Sequence, residues 1–438
     1  MHAFQQFLSR YFQITEHHST LRTECLAGST TFLTMAYIIL VNPVILSSTG
    51  INPGAAFIAT CLAAALGSFL TGMLANYPIA VAPSMALNIY FSYVIVGSLG
   101  YSWQAALGAV FVSGVLFFLL TVSGVRQWVI RAIPESLAIG VCAGIGLFIA
   151  LIALKSSGII VPNDKTLLTL GHAASEQGLL FLVGFCLIVA LDYLAIPGAI
   201  LIGIVAITVI AILLGIDSFR GFVGNIPSLN PTWMKLDIHG MFHAQGWIII
   251  FTFFLVALFD SAGTLVGVLS QTRLTEDPRK NARITRALVA DSVATIGGSL
   301  MGTSTTSPYI ESAAGVRAGG RTGLTAVVVS LFFLLALFFS PLAATIPDYA
   351  TGPALLFVAT LMVKSLVRIP WDDFTESVPS VVTFVMIPFT FSIADGIGLG
   401  FISYALIKLF CGKWRELKPV LLILTAIFVA YFIYRPVI

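Results

Sequence analysis

Charged residues are scarce in this sequence. Only 9% of its 438 residues are charged, 58% are hydrophobic, and the mean hydropathy is +1.00. Soluble proteins carry about 25% charged residues, so this chain has too few to cover a surface that faces water. The composition excludes a soluble globular protein and predicts one embedded in a lipid bilayer. The formal net charge of +3 does not indicate nucleic-acid binding, because the basic residues fall in short loops.

Paired cysteines and clustered histidines are also missing. The five cysteines are scattered without a C-x-x-C pair, and the six histidines lie in loops or near the N-terminus. Disulfide frameworks and metal sites need regular spacings of these residues, so we expect no metal and no cofactor. The first residues also lack the pattern of a secretory signal, because the first long apolar run begins only after Glu24.

Apolar runs occupy most of the chain, and most have the roughly 17–25 residues that a membrane-spanning helix needs. We predict an all-α membrane protein of about fourteen spans with no sizeable soluble domain. The predicted spans are 26–46, 55–74, 79–96, 103–123, 135–153, 178–193, 198–214, 246–269, 284–302, 304–316, 322–343, 351–366, 376–393 and 395–411. Segment 417–435 forms either a fifteenth span or a surface helix. Residues 1–14 have the apolar spacing of a helix on the membrane surface, with a disordered leader as the alternative.

Basic residues are distributed unevenly between alternate loops. With a cytoplasmic N-terminus, 17 of the 22 Lys and Arg residues fall inside, four fall outside, and Arg435 lies near the C-terminus. Cytoplasmic loops are enriched in Lys and Arg, so this bias supports fourteen crossings and that orientation. We predict a multi-pass protein of the plasma (inner) membrane.

The two halves of the chain share short glycine-rich segments in the same order. Gly67–Gly72 precedes the third span and Gly298–Gly302 precedes the tenth, while Ile196–Ile204 and Ala394–Ile402 open the seventh and the fourteenth. Seven spans per half require the two halves to be inverted with respect to each other. Inverted repeats are typical of secondary transporters.

Two acids stand alone in apolar surroundings. Asp260 lies within a long uncharged run, and Glu311 follows the hydroxyl-rich segment Thr303–Ser307. A carboxylate at bilayer depth is costly unless it is paired, hydrated or protonated, so its default interpretation is functional. These acids predict a proton-linked site for a small polar solute.

Prolines interrupt spans three and ten at Pro83 and Pro308. Proline removes a backbone donor and favours the first turn of a new helix, so each segment is predicted to be an extended stretch followed by a half-helix. Backbone N–H and C=O groups outside a helix are tolerated at this depth only where protein or water in a cavity forms hydrogen bonds with them. Either proline alone is equally consistent with a simple kink, but the matching positions favour a site.

Five motifs together resemble one transporter family. They are TTFLTMAYIILVNP (30–43), LANYPIAVAPSMALN (74–88), LFDSAGTL (258–265), YIESAAGV (309–316) and GGRTGLTAVVV (319–329). In their order and spacing they resemble the AzgA-type purine permeases of the nucleobase–cation symporter-2 family. The resemblance runs from about Phe12 to the end of span fourteen. It implies uptake of adenine, guanine, hypoxanthine or xanthine with protons.

The resemblance further implies a fold like that of the bacterial uracil permease, with two inverted seven-span repeats. A core domain from spans 1–4 and 8–11 would hold the substrate, and a gate domain from spans 5–7 and 12–14 would move against it and form a homodimer. The implied segments are an N-terminal segment (1–25), the core (26–123 and 246–343), the gate (124–214 and 344–411), an extracytoplasmic loop (215–245) and a C-terminal hydrophobic segment (412–438).

The same resemblance implies that Asn88, Asp260 and Glu311 bind the substrate. The third-span motif departs from the family's usual APGMGLNAFF, because Ser84 and Ala86 replace glycines. The larger side chains put the choice of purine in doubt. Ser84 is itself a candidate contact.

A purine is a flat, neutral heterocycle with donors and acceptors around its rim. A carboxylate accepts from N–H groups and a carboxamide both donates and accepts, so we expect Glu311 to be the principal acceptor and Asn88 to complete the polar edge. Burial favours the protonated form of a carboxyl group, so Asp260 is assigned mainly to proton coupling, alone or with Glu311. Phe259 or Tyr309 would stack on the ring, with ordinary packing as the alternative for either.

The other acids have weaker functional interpretations. Asp291 is a candidate for proton coupling, with a pair to Arg286 near the cytoplasmic boundary as the alternative. Glu24 and Arg22 are interpreted as a surface pair at a helix start. A solvated cytoplasmic cluster is expected for Asp372, Asp373 and Glu376.

We predict a secondary active transporter that imports purine nucleobases by proton symport, and not an enzyme. An intramembrane aspartyl protease would carry Y-D and G-x-G-D motifs, which are absent. A passive channel needs no broken helix with a titratable acid. A pyrimidine nucleobase or anion transporter of the same fold is the alternative, although Glu311 would repel an anion. The preferred purine, the proton stoichiometry and sodium in place of protons stay open.

Overall fold

The structure is a computed structural model that describes residues 2–124, 133–163, 165–171, 175–269 and 280–434. Some basic residues that support the predicted orientation lie outside the described residues, namely Arg126, Arg131, Arg273, Arg279 and Arg435.

Helices dominate the first half of the chain. Its elements are α1 (His2–Tyr11), α2 (Leu21–Met35), α3 (Ile38–Ser47), α4 (Pro53–Leu70), β1 (Val81–Pro83), α5 (Met85–Ile89), α6 (Trp103–Val122), α7 (Glu135–Ser156), β2 (Ile160–Asn163), β3 (Leu167–Leu170), α8 (Glu176–Tyr193) and α9 (Ala199–Leu213). Two of these helices continue as π-helices, α4 through Thr71–Ala75 and α5 through Tyr90–Ser98. The first predicted span is divided between α2 and α3, with Ala36 and Tyr37 between them.

The second half repeats the helical character. Its elements are α10 (Ala244–Leu269), α11 (Lys280–Met301), β4 (Thr306–Pro308), α12 (Ser312–Arg317), α13 (Gly323–Ala336), α14 (Ser340–Ala343), α15 (Asp348–Val363), α16 (Phe374–Phe389), α17 (Ile393–Phe410) and α18 (Pro419–Tyr434). Short 3-10 helices cover His239–Met241, Leu337–Phe339, Lys364–Arg368 and Trp414–Glu416.

Membrane-spanning character is evident from helix length and composition. Among the described residues, eight helices are long and apolar enough to cross a bilayer, and five further apolar helices are shorter. The chain is therefore a helical membrane protein, as its composition predicts.

The chain forms two compact units. Unit one comprises residues 1–122 and 174–354. In it, α4 packs against α11 and α13, and α6 packs against α10 and α11. The backbones approach closely at Gly323, where an added Cβ would lie 2.0 Å from the carbonyl oxygen of Gly72. Only glycine permits that approach.

Glu24 in unit one corrects an expectation from the sequence. It is fully buried and does not form a surface pair with Arg22. Its Oε1 accepts from the Arg321 N–H at 3.0 Å, and its Oε2 accepts from the Thr322 N–H at 3.2 Å and the Thr325 hydroxyl at 2.6 Å. The carboxylate therefore satisfies donors at the start of α13, where backbone N–H groups have no partner within the helix.

Unit two comprises residues 123–173 and 355–438. Within it α16 packs against α7 and α17, and α18 packs against α17. Strands β2 and β3 form an antiparallel pair with Ile160 opposite Leu170 and Asn163 opposite Leu167.

The expectation of a solvated acidic cluster is wrong for Glu376 in unit two. Lys408, whose side chain is 1% exposed, lies 2.7 Å from Oε1 of Glu376 and 2.6 Å from Oε2 of Glu416. Ser136 and Tyr404 also donate to the Glu376 carboxylate, at 2.5 and 2.9 Å. A buried ammonium group needs such partners, because an unpaired buried charge is strongly disfavoured.

Candidate functional site

Two extended segments pair with each other inside unit one. Strands β1 and β4 are antiparallel, with Val81 opposite Pro308 and Pro83 opposite Thr306. The pair is extended by hydrogen bonds from the Ser84 N–H to the Thr305 carbonyl at 2.8 Å and from the Tyr309 N–H to the Ala80 carbonyl at 2.9 Å. These segments are buried, so the pairing satisfies backbone groups that leave the helical pattern at membrane depth.

Each strand leads into a short helix, which is the form that Pro83 and Pro308 predict. Ser84 precedes α5 and Glu311 precedes α12, both at the N-cap position. Neither side chain caps its own helix by a hydrogen bond. Both polar groups are therefore available for contacts with other elements.

Ser84 and Glu311 each take part in a carboxyl–hydroxyl hydrogen bond. The Ser84 hydroxyl donates to Oδ2 of Asp260 on α10 at 2.8 Å. The Tyr37 hydroxyl, from the junction of α2 and α3, donates to Oε1 of Glu311 at 2.6 Å. The Ser307 side chain also lies near Asp260. The two acids are close enough to interact electrostatically, so the structure brings Ser84, Asp260 and Glu311 together.

The two acids are more exposed than the residues that donate hydrogen bonds to them. Asp260 and Glu311 are half-buried, whereas Ser84 and Tyr37 are buried. Both acidic residues therefore keep part of their surface exposed. Phe259, the residue before Asp260, is also half-buried.

Tyr309 lies at the same crossing. Its ring is buried, and its hydroxyl donates to the Pro83 carbonyl at 2.6 Å. The hydrogen bond ties the residue after β4 to the end of β1. Tyr309 thus stabilises the strand pair, whatever its contact with a ligand.

Asn88 belongs to a buried polar network beside the crossing. Its amide donates to Oδ1 of Asn42, and its Oδ1 accepts from the Ser304 hydroxyl. Asn42 in turn donates to Thr60 at 2.7 Å and to Thr303 at 3.1 Å. Asn88 is fully buried, so direct contact with a ligand requires the side chains around it to rearrange.

Asp291 joins two segments of the site from α11. Its carboxylate accepts from Ser261 at 2.6 Å and from Thr306 at 3.2 Å. Ser261 follows Asp260, and Thr306 precedes Ser307. Asp291 is fully buried, whereas Asp260 and Glu311 are half-buried.

Sequence reasoning missed three polar partners in this site: Tyr37, Ser307 and Asn42. Tyr37 and Asn42 lie within the motif at 30–43, and Ser307 lies within the hydroxyl-rich segment, so all three belong to segments that the sequence analysis singled out. Their roles depend on contacts between distant segments, which local pattern does not show. No group of three or more His, Cys, Asp or Glu residues in the described part of the chain could hold a metal ion.

Comparisons with known proteins identify relatives along almost the whole chain. The adenine permease AdeQ of Escherichia coli strain K12 is 47% identical over 421 residues, which cover 96% of this chain and 95% of that protein. The guanine/hypoxanthine permease PbuG of Bacillus subtilis strain 168 is 43% identical over 439 residues, which cover 98% of this chain and all of that protein.

The fold also has a known counterpart. The transmembrane domain of the cyanobacterial bicarbonate transporter BicA superposes with a TM-score of 0.65 and 15% sequence identity, over 85% of this chain and 97% of that chain. At this identity the likeness concerns the fold alone.

Residues 22–399 match the sequence model of a protein family that is described as the permease family (Xan_ur_permease). Both sequence relatives are named permeases, so the chain is a membrane permease and not an enzyme. The chain belongs to this permease family, and its resemblance to the AzgA-type members is confirmed.

Proposed function

We propose that this permease is a secondary active transporter that imports purine nucleobases by proton symport. The observation that carries the proposal is the pair of acids at the β1–β4 crossing, Asp260 and Glu311, each of which accepts a hydrogen bond from a hydroxyl group. AdeQ and PbuG are named for adenine and for guanine and hypoxanthine, which supports a purine as the substrate.

The chemistry of the site suits a neutral solute with N–H groups. Carboxylates accept hydrogen bonds, and a purine presents ring and exocyclic N–H donors on its rim. Glu311 and Asp260 receive these donors in the proposal, and Asn88 completes the polar edge after a rearrangement that exposes it. Tyr309 and Phe259 supply aromatic surface beside the acids. A solute with a negative charge would be repelled by the same acids, which disfavours an anion.

Proton coupling is assigned to the same acids. Burial favours the protonated form of a carboxyl group, so a proton carried by Glu311 or Asp260 would enter and leave with the substrate. Asp291 would contribute through Ser261 and Thr306, since its full burial separates it from water.

The proposed architecture has fourteen spans in two inverted repeats, a core and a gate domain, a cytoplasmic N-terminus and a homodimer in the inner membrane. Twelve of the long and short apolar helices, all but the C-terminal α18, support that number of crossings together with α11 and the β4–α12 segment. The corresponding strand–helix units at Val81–Ile89 and Thr306–Arg317 support a repeat.

Initial uptake of labelled adenine tests the proposal in cells without their own purine carriers. We expect uptake that a protonophore abolishes and that unlabelled purines block, whereas uracil and bicarbonate do not. Glu311→Gln and Asp260→Asn should each reduce uptake at least tenfold, and Glu16→Gln at an exposed position should not. Normal expression without uptake of any purine would contradict the proposal, and inhibition by uracil or bicarbonate would favour the pyrimidine or anion alternative.

A further inference from the structure

Ser84 uses its hydroxyl in an unusual way for its position. It is the N-cap residue of α5, where a serine oxygen commonly accepts a backbone N–H of the helix. Its side chain makes no such bond and instead donates to Oδ2 of Asp260 at 2.8 Å. The hydroxyl is therefore committed to one carboxyl oxygen of Asp260, a residue that is itself partly exposed.

The backbone of Ser84 holds this hydroxyl in place. Its N–H donates to the Thr305 carbonyl at 2.8 Å, and its carbonyl accepts from the Asn88 N–H at 2.9 Å. The residue is 2% exposed, so rotation of its hydroxyl into water is prevented. Asp260 thus meets any ligand with one acceptor position of Oδ2 already used.

Purines differ in the number of adjacent donors on one edge. Guanine presents a ring N–H beside an exocyclic amino group, and a carboxylate receives two such donors best with both oxygens free. Hypoxanthine has the same ring N–H without the amino group. Adenine presents its exocyclic amino group beside a ring nitrogen that only accepts.

From this arrangement, we infer that the Ser84 hydroxyl limits Asp260 to a purine edge with a single donor, so that adenine and hypoxanthine are accepted in preference to guanine. The inference rests on the proposed function and narrows its substrate class. Ser84 is a positioning residue here, because it acts through Asp260. Its loss should change the ratio between substrates and not only the overall rate.

Competition measurements on the full-length wild-type permease give the first test. Unlabelled hypoxanthine and guanine, which differ only by the 2-amino group, compete with labelled adenine for uptake. A hydrogen bond to a charged group corresponds to about a tenfold change in affinity or more, so we expect guanine to inhibit about tenfold less well than hypoxanthine. Guanine equal to or better than hypoxanthine would overturn the inference while leaving purine uptake intact.

Variants of Ser84 give the second test. Ser84→Ala frees Oδ2, and we expect the difference between guanine and hypoxanthine to fall to about twofold or less, while Ser84→Thr, which keeps the hydroxyl, retains it. The matched control is Ser92→Ala, since Ser92 is buried in the π-helix that follows α5 and its hydroxyl has no hydrogen-bond partner among the described residues. An unchanged ratio in Ser84→Ala would overturn the inference.

Failure of the proposed function has a separate signature. A wild-type permease that takes up no purine would remove both the proposed function and this inference. Uptake of purines with the wrong preference would remove the inference alone. The wild-type comparison stands even where Ser84→Ala does not reach the membrane.

Discussion

The hydroxyl of Tyr37 lies 2.6 Å from Oε1 of Glu311, although 274 positions separate the two residues in the chain. Tyr37 is buried between α2 and α3, and Glu311 immediately precedes α12. A residue of the first predicted span therefore orients an acid of the tenth. One oxygen of Glu311 is occupied by this donor, as one oxygen of Asp260 is by Ser84.

Replacement of Tyr37 tests this orientation. Tyr37→Phe removes the hydroxyl and leaves the ring, so Glu311 loses a charge-assisted hydrogen bond worth about 1.5–3 kcal/mol. We expect purine uptake to fall at least tenfold, chiefly through a higher KM, in initial-rate measurements. Tyr11→Phe is the control, because the Tyr11 hydroxyl donates to the Met73 carbonyl outside the site. Rates within twofold of wild type would show that Glu311 does not need this donor.

Glu24 is expected to stabilise the fold without serving transport chemistry. Glu24→Ala leaves two backbone N–H groups and the Thr325 hydroxyl without their acceptor, at a cost of about 3 kcal/mol. Thermal unfolding of the detergent-solubilised protein should show a clearly lower Tm. Glu16→Ala, at an exposed position, should leave the Tm unchanged. Equal Tm values for the two variants would argue against the role of Glu24 at the start of α13.

The buried Lys408 predicts a second stability effect in unit two. Lys408→Met leaves Glu376 without its buried partner, and breaking a buried pair in this way costs about 3–5 kcal/mol. The double variant Lys408→Met/Glu376→Gln should recover part of the loss in the same unfolding assay. The control is Lys413→Met, whose half-exposed pair with Asp373 should contribute much less to the Tm because solvent screens it. A loss of Tm in the double variant equal to the sum of the losses in the two single variants would contradict the pairing.

Asp373 predicts a dependence of stability on pH. Hydrogen bonds from Thr375 and Lys413 hold the pKa of its carboxyl group well below the usual range. The ionised Asp373 therefore stabilises the folded protein fully above the unfolded-state pKa of about 4. This stabilisation is lost as the pH falls through the lower pKa of the folded state. The Tm difference between wild type and Asp373→Asn should stay constant from about pH 5 to 8 and shrink below about pH 4. A Tm difference that grows on acidification would show that folding raises the pKa of Asp373 and does not lower it.

Local pattern predicted much of this structure. Apolar run length identified the helices, and Pro83 and Pro308 identified the two segments that leave the helical pattern. Asp260 and Glu311 were recognised because a lone acid in an apolar run is costly. These features are visible within a window of about 20 residues.

Contacts between distant segments could not be predicted in the same way. Glu24 was misinterpreted because an acid at the start of an apolar run resembles a surface residue, while its partners lie about 300 positions downstream. Glu376 was misinterpreted because Lys408, at the far end of α17, is buried beside it. Tyr37 escaped notice because tyrosine is ordinary in a membrane span, and only the fold places it against Glu311.

The pairing of β1 with β4 also constrains how the protein is made. Pro83 and Tyr309, which meet at this crossing, are separated by 226 residues, so a ribosome adding about 5–20 residues per second needs roughly 10–50 s to supply the second segment. During that interval the segment around Val81 exists without its eventual partner. The nascent third span must therefore be sheltered by the insertion machinery or by water. A release of α5 into lipid before β4 emerges would trap a chain that has its helices but lacks a finished site.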